Sequence, residues 1–115
     1  MKNDHETQMK IILGLYILKI LQQGPAYGNK LAAEITKRTQ DTITPNTNTL
    51  YPLLRKMEER GYIIGEWESP DTRSKRIYTI TGVGSARIPE LTQMVREKLS
   101  EVEKKIAILK TDLLN

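Results

Sequence analysis

The side chains best suited to chemistry lie in one short segment near the middle of the chain. They are Thr47, Asn48, Thr49, Tyr51 and Arg55. Amides, hydroxyls, a phenol and a guanidinium can hydrogen-bond to the edges of nucleic-acid bases or to phosphates. The same residues would also suit the solvated face of an ordinary helix, so this segment alone predicts binding chemistry without deciding its partner.

The composition removes most catalytic chemistry. The chain has no cysteine and one histidine, His5, which excludes disulfides, thiolate catalysis, cysteine zinc sites and Ser-His-Asp triads. A glycine pair at Gly82 and Gly84 follows a predicted strand but lacks the third glycine of a dinucleotide-binding loop. We therefore expect no enzyme, no metal site and no cofactor.

Length and charge set the scale of the molecule. The chain has 115 residues, 18 Lys plus Arg against 14 Asp plus Glu, and a net charge of +4. This is enough for one small domain, and the mild basic excess permits a polyanionic partner without requiring one. The polar first residues do not resemble a signal peptide, and the longest apolar run, residues 11–18, is too short to span a membrane. We expect a cytoplasmic protein with no membrane association.

Three helices are predicted before residue 62. Apolar residues at helical spacing indicate a first helix ending near Gly24 and a second over Tyr27 to Arg38. Asn46 is a good N-cap for a third helix, and Gly61 lies where a left-handed C-terminal cap belongs. The predicted core face of that third helix consists of Leu50, Leu53, Leu54 and Met57.

The apolar period then changes to that of strands. Residues 62–68 and 76–81 predict a two-stranded ribbon joined by a long polar turn. We expect Trp67 to pack beneath this ribbon against the helices, and Arg76 to be able to pair with Glu66 across it. The fold class is therefore mainly α, an α+β winged helix-turn-helix with three N-terminal helices and a two-stranded β wing.

A long final helix follows, capped by Thr81 and containing Pro89. Its apolar residues repeat at the three- and four-residue steps of a coiled coil. They are Leu91, Val95, Leu99, Val102, Ile106, Leu109 and Leu113. Because no other predicted element is long enough to cover this stripe, we expect a second copy of the chain to do so. The predicted domains are a winged helix over residues 1–81 and a dimerisation helix over residues 82–115.

The chain contains the run Thr49-Leu50-Tyr51-Pro52, followed by Glu58-Glu59-Arg60-Gly61-Tyr62; further short motifs are Tyr27-Gly28, the run Arg76 to Thr81, and Gly84. In this order the motifs resemble those of the PadR family of winged-helix transcriptional regulators. The match fits the smaller subclass with a single C-terminal dimerisation helix. One departure is Asn48, where the family usually has glycine, and this puts the operator sequence in doubt.

The resemblance implies a homodimer that places two recognition helices in successive major grooves of a pseudo-palindromic operator. It assigns DNA contacts to Thr47, Asn48, Thr49, Tyr51 and Arg55, and a phosphate contact to Tyr27 on the second helix. Arg73 and Lys75, at the wing tip, are phosphate candidates from charge alone, and a solvated turn is the alternative for them.

Members of this family often respond to small aromatic or drug-like molecules at the dimer cleft, which leaves open release from DNA by such a ligand. Residues 82–115 contain no aromatic side chain, and Met94 and Val95 lie midway along the upper half of this helix. Any pocket there would be aliphatic, so no effector is carried over.

Two functions from different classes remain open. The first is a DNA-binding repressor that acts as a homodimer. The alternative is a winged-helix module for protein interaction or DNA segregation, without a role in transcription.

Overall fold

The chain folds into four helices and a small antiparallel sheet. The structure, a computed structural model, describes residues 4–69, 71 and 75–115. The elements in chain order are α1 (Asp4–Leu21), β1 (Ala26–Tyr27), α2 (Gly28–Arg38), α3 (Thr47–Glu59), β2 (Ile63–Trp67), β3 (Arg76–Ile80) and α4 (Gly82–Leu114). The predicted winged helix-turn-helix class is confirmed, with α2 and α3 as the helix-turn-helix and the β2–β3 ribbon as the wing.

The sheet has three strands, not the two that were predicted. Its order is β1-β3-β2, and β1 adds to the edge of β3 with Ala26 opposite Tyr78 and Tyr27 opposite Ile77. Strand β1 is only two residues long and leads directly into α2. Such a short strand shows no alternating pattern, so Tyr27 was predicted to begin the second helix.

One hydrophobic core joins all four helices to the sheet. Its fully buried large side chains are Leu13, Ile17, Leu18, Leu31, Ile35, Leu50, Leu54 and Ile63. The predicted core face of α3 is confirmed for Leu50, Leu54 and Met57. Leu53 is a partial exception, since it is only half-buried at the edge of the core.

Two predicted caps fix where α3 ends and α4 begins. Gly61 has a φ of +78°, the left-handed conformation that suits glycine after a helix. The hydroxyl of Thr81 lies 3.0 Å from the Gly84 amide and accepts its hydrogen bond. That hydroxyl also lies 2.6 Å from the Gly61 carbonyl oxygen, to which it donates. The start of α4 is thereby tied to the end of α3.

Helix α4 divides into a packed and an exposed part. Its first half lies along α1, and Leu91 is buried in the common core. From Leu99 to the end of the helix, the side chains are exposed. The molecule consequently measures 63 Å along its longest axis and 31 Å and 26 Å across.

A helix needs a long and strongly apolar run of residues to cross a bilayer. None of the helices within the described residues combines enough length with enough apolar character to do so.

Candidate nucleic-acid interface

The N-terminus of α3 presents polar groups to solvent. Asn46 is the N-cap, and its side-chain oxygen accepts a hydrogen bond of 3.0 Å from the Thr49 amide, as predicted. This bond satisfies one of the amides that a helix start leaves without a partner. Thr47, Asn48 and Thr49 are all exposed in this first turn, so the structure brings these three predicted site residues together.

The exposed face of α3 forms a narrow ridge. At 100° per residue, Asn48, Pro52, Arg55 and Glu59 fall within one sector of the helix, opposite the buried Leu50, Leu54 and Met57. We call these four residues the α3 ridge; all of them are exposed. Pro52 lies inside the helix and cannot donate a backbone hydrogen bond. The carbonyl of Asn48 therefore lacks its usual helical donor, which leaves a backbone acceptor on the ridge.

One flank of the ridge borders a cleft of about 640 Å³ between α3 and the wing. We call it the α3–wing cleft. Its lining includes four aromatic side chains and four charged ones: Tyr27, Tyr51, Trp67, Tyr78, Arg55, Glu58, Lys75 and Arg76. Four of the predicted site residues outside the first turn of α3 meet here: Tyr27, Tyr51, Arg55 and Lys75.

Tyr51 reaches from α3 across the start of α2. A Cβ atom built on Gly28 would lie 2.8 Å from the Tyr51 hydroxyl oxygen, so a larger residue at position 28 would displace the ring. Tyr51 is 39% exposed, which leaves its other side available in the cleft. The glycine at position 28 thus has a steric reason that the sequence alone does not reveal.

Tyr27 lies on β1, not on the second helix as predicted. Its hydroxyl donates a hydrogen bond of 2.8 Å to Glu68, and the Lys75 ammonium lies 5.1 Å from the centre of its ring. The hydrogen bond to the Glu68 carboxylate raises the pKa of Tyr27 above its usual value. A phosphate approaching this hydroxyl would therefore have to replace the Glu68 carboxylate.

Arg76 pairs with Glu58 of α3, not with Glu66 as predicted. The Arg76 Nη2 and Glu58 Oε2 atoms are 2.7 Å apart, and Nε and Oε1 are 3.4 Å apart. In the strand register Arg76 lies opposite Trp67, while Glu66 lies opposite Ile77. The hydrogen bond to Glu58 raises the pKa of Arg76.

The space for this pair comes from Gly65, where a Cβ atom would lie 2.7 Å from Arg76 Nε. Sequence reasoning missed Glu58, because no local pattern links a helix residue to a strand that begins after an intervening turn.

Trp67 does not pack beneath the wing as predicted, since it is 40% exposed. It lies at the end of β2, beyond the helical core, and the Arg76 guanidinium lies 5.2 Å from the centre of its ring. This distance is within the range of a cation–π contact. Trp67 therefore forms a wall of the α3–wing cleft.

The wing tip is described only in part. Lys75 is exposed beside β3, and Arg73 lies outside the described residues.

The residues predicted for dimerisation fall into three environments. Leu91 was predicted to contact a second copy, and this prediction is wrong. It is buried in the core of its own chain at 8% exposure, so it is not available to a second copy. Val95 is half-buried and lines a groove of about 190 Å³ with Ile11, Ile12 and Met94; its apolar lining is aliphatic, as predicted. The remaining five are exposed, and we call them the C-terminal stripe: Leu99, Val102, Ile106, Leu109 and Leu113.

The sequence and the fold were compared with known proteins. The model of the transcriptional regulator PadR-like family matches residues 17–90. Transcriptional regulator Rv3488 of Mycobacterium tuberculosis is 30% identical over 88 residues, which make up 76% of this chain and 79% of that protein.

Solved structures share the fold. A PadR family transcriptional regulator from Eggerthella lenta superposes with a TM-score of 0.68 at 27% identity, over 88% of this chain and 86% of that one. Bacillus subtilis PadR, solved in complex with operator DNA, superposes with a TM-score of 0.60 at 22% identity, over 69% of this chain and 45% of that one.

Proposed function

The chain belongs to the transcriptional regulator PadR-like family, and from this premise we propose that it regulates transcription by binding duplex DNA through α3. The observation that carries the proposal is the α3 ridge, whose four residues are exposed and lie opposite the buried face of the helix. Asn46 caps the helix that presents them. A helix of this kind fits the major groove, where amides and guanidinium groups read base edges. The fold of Bacillus subtilis PadR, crystallised with operator DNA, supports the same mode.

Within this proposal the five residues Thr47, Asn48, Thr49, Tyr51 and Arg55 read or grip the DNA. Arg55 on the ridge is suited to a guanine edge or a phosphate, and Asn48 to an adenine edge. Tyr27, Lys75 and Arg73 bind the phosphates that flank the groove. Affinity for DNA depends on these individual side chains and not on a general positive charge, because Glu58, Glu66 and Glu68 offset the basic residues of α3 and the wing.

The direct test is a titration of the purified protein against the promoter of its own gene and a scrambled duplex of equal composition. We expect tighter binding to the promoter, weakening steeply with salt. Equal affinity for both duplexes at every salt concentration would contradict specific regulation.

Arg55→Ala tests the recognition helix, with Arg60→Ala as its matched control. Both substitutions remove one exposed arginine, Arg55 within α3 and Arg60 at the C-cap of that helix, but only Arg55 lies on the α3 ridge. We expect Arg55→Ala to abolish promoter binding and Arg60→Ala to preserve most of it. Normal binding by Arg55→Ala would overturn the assignment of the ridge.

We also propose that two copies associate through α4, giving the two-part organisation of a winged helix over residues 1–81 and a dimerisation helix over residues 82–115. The C-terminal stripe supports this, because its five apolar side chains are 40–71% exposed in one copy at coiled-coil spacing. A dimer would double the +4 net charge and present two α3 ridges to a pseudo-palindromic operator.

The matched pair Ile106→Asp and Ile108→Asp tests this association. Both isoleucines are exposed on α4, but Ile108 lies roughly 200° around the helix from Ile106 and outside the stripe. We expect Ile106→Asp to sediment as a monomer and Ile108→Asp as a dimer. A monomeric wild-type protein would refute the proposed assembly.

Repression and release by a small molecule complete the proposal. A repressor bound across its own promoter would lower the output of a reporter fused to that promoter. Higher reporter output without the regulator supports repression, whereas lower output indicates an activator. The apolar lining of the groove beside Met94 and Val95 is aliphatic and, among the described residues, includes no aromatic side chain. The groove therefore does not indicate which small molecule would act as an effector.

A further inference from the structure

The second flank of the α3 ridge borders a different groove, between α3 and α1. It encloses about 410 Å³, and we call it the α1–α3 groove. Its lining consists of Met9, Lys10, Asn48, Thr49, Pro52, Leu53 and Lys56. Counted around α3 at 100° per residue, this groove and the α3–wing cleft lie on opposite sides of the ridge.

The charges of these two flanks differ. The α3–wing cleft places Glu58 among its basic residues. In the α1–α3 groove, the charged lining consists of Lys10 and Lys56, and no carboxylate joins them among the side chains that the structure describes. Both lysines are exposed. The groove also contains Asn48 and Thr49 from the first turn of α3, the end of a helix that attracts anions.

The geometry of duplex DNA gives this flank a partner. The major groove is about 12 Å wide, and a helix with its side chains is about 10–12 Å across. When the α3 ridge enters the groove, the phosphates of one strand therefore run along the wing side and those of the other strand along the α1 side. We infer that Lys10 and Lys56 bind backbone phosphates of the strand on the α1 side, so that α1 belongs to the DNA interface.

This inference rests on the proposed function and extends it to a helix outside the helix-turn-helix. It assigns Lys10 and Lys56 a contact that is independent of base sequence, because phosphates carry no sequence information. Each phosphate contact contributes about 0.9 to the slope of log affinity against log salt concentration. Between 1 M and 0.1 M salt this slope amounts to about an eight-fold gain in affinity per contact, which is the loss expected at 0.1 M salt when one contact is removed.

Lys10→Gln tests the inference, with Lys19→Gln as its control. Both lysines are exposed on α1, and nine residues of helix place them on opposite faces. The wild type and both variants are titrated against the promoter duplex and the scrambled duplex from 50 to 200 mM salt. We expect Lys10→Gln to lose affinity for both duplexes by a similar factor, about eight-fold per contact at 0.1 M salt, with a shallower salt slope. Lys19→Gln should match the wild type.

The double variant Lys10→Gln/Lys56→Gln should lower the slope about twice as much as Lys10→Gln. If Lys10→Gln and Lys19→Gln behave alike while the wild type binds its promoter, the inference is wrong and the proposed function stands. If the wild type binds neither duplex, both are wrong. Equal melting temperatures of the wild type and the three variants would show that any loss arises at the DNA interface.

Discussion

The ion pair between Glu58 and Arg76 is the contact that should decide how firmly the wing is held against α3. Both atoms of the guanidinium fork face the Glu58 carboxylate, and 29% of the Arg76 side chain and 24% of the Glu58 side chain remain exposed. A hydrogen bond to a charged group contributes about 1.5–3 kcal/mol, whereas a fully exposed pair contributes about 0–1 kcal/mol. Partial exposure places this pair near 1.5 kcal/mol.

Arg76→Ala removes more than the pair. The guanidinium also lies over the Trp67 ring, a contact of about 0.5–1 kcal/mol. We therefore expect Arg76→Ala to lower the free energy of unfolding by about 2 kcal/mol. Since about 1 kcal/mol shifts the Tm of a domain of this size by roughly 4 °C, the Tm should fall by roughly 8 °C.

A double-mutant cycle isolates the pair from the other contacts of each residue. The wild type, Glu58→Ala, Arg76→Ala and the double variant are unfolded in urea at one protein concentration, because association shifts apparent stability. We expect a coupling energy of about 1.5 kcal/mol between positions 58 and 76. Glu59→Ala is the control, since Glu59 is the exposed neighbour of Glu58, and it should change stability by less than about 0.5 kcal/mol.

A coupling energy below about 0.5 kcal/mol would place the pair among ordinary surface ion pairs. It would refute the reasoning that Glu58 and Arg76 fasten the wing to α3. A large loss in Arg76→Ala without coupling would instead assign the stability to the contact with Trp67.

Three further predictions concern the cap of α3, the Tyr27 hydroxyl and the buried Tyr78. Asn46→Ala should destabilise the protein by about 1 kcal/mol in urea unfolding through loss of the N-cap bond, whereas Asn46→Ser should preserve stability. Glu68→Gln should raise the affinity for duplex DNA in the promoter titration, because it weakens the acceptor that holds the Tyr27 hydroxyl; an equal gain from Glu66→Gln would mean that only net charge matters. Burial, with Glu58 nearby, raises the pKa of Tyr78, so its stabilising contribution is complete below about pH 10 and is lost as the pH rises through the raised pKa. Tyr78→Phe should therefore lose less stability than the wild type between pH 9 and 11, and parallel losses would contradict this.

The sequence predicted what is local and missed what is distant. The N-cap at Asn46, the left-handed Gly61 and the burial of Leu50, Leu54 and Met57 each depend on residues within about two helical turns, and all three are confirmed. The Tyr27–Glu68 bond joins residues 41 positions apart, and only the pairing of β1 with β3 brings them together. No periodicity encodes such a contact.

Trp67 shows how a correct strand can carry a wrong burial prediction. Trp67 and Ile63 are four residues apart on β2, which places their side chains on the same side of the sheet, and Ile63 is fully buried. The strand, however, extends past the edge of the helical core before Trp67 is reached. Alternation predicts which side of a sheet a residue lies on, but it does not predict how far the helices beneath that sheet extend.

The burial of Leu91 has a consequence for how the protein is made. Leu91 shares a core with Leu13 and Ile17 of α1, although most of the chain separates them. During translation α1 can pack against α2, α3 and β3 as these elements appear, but the part of its surface that α4 covers stays open until Leu91 has left the ribosome. A stop codon before position 91 would therefore yield a protein in which that side of α1 remains exposed to solvent.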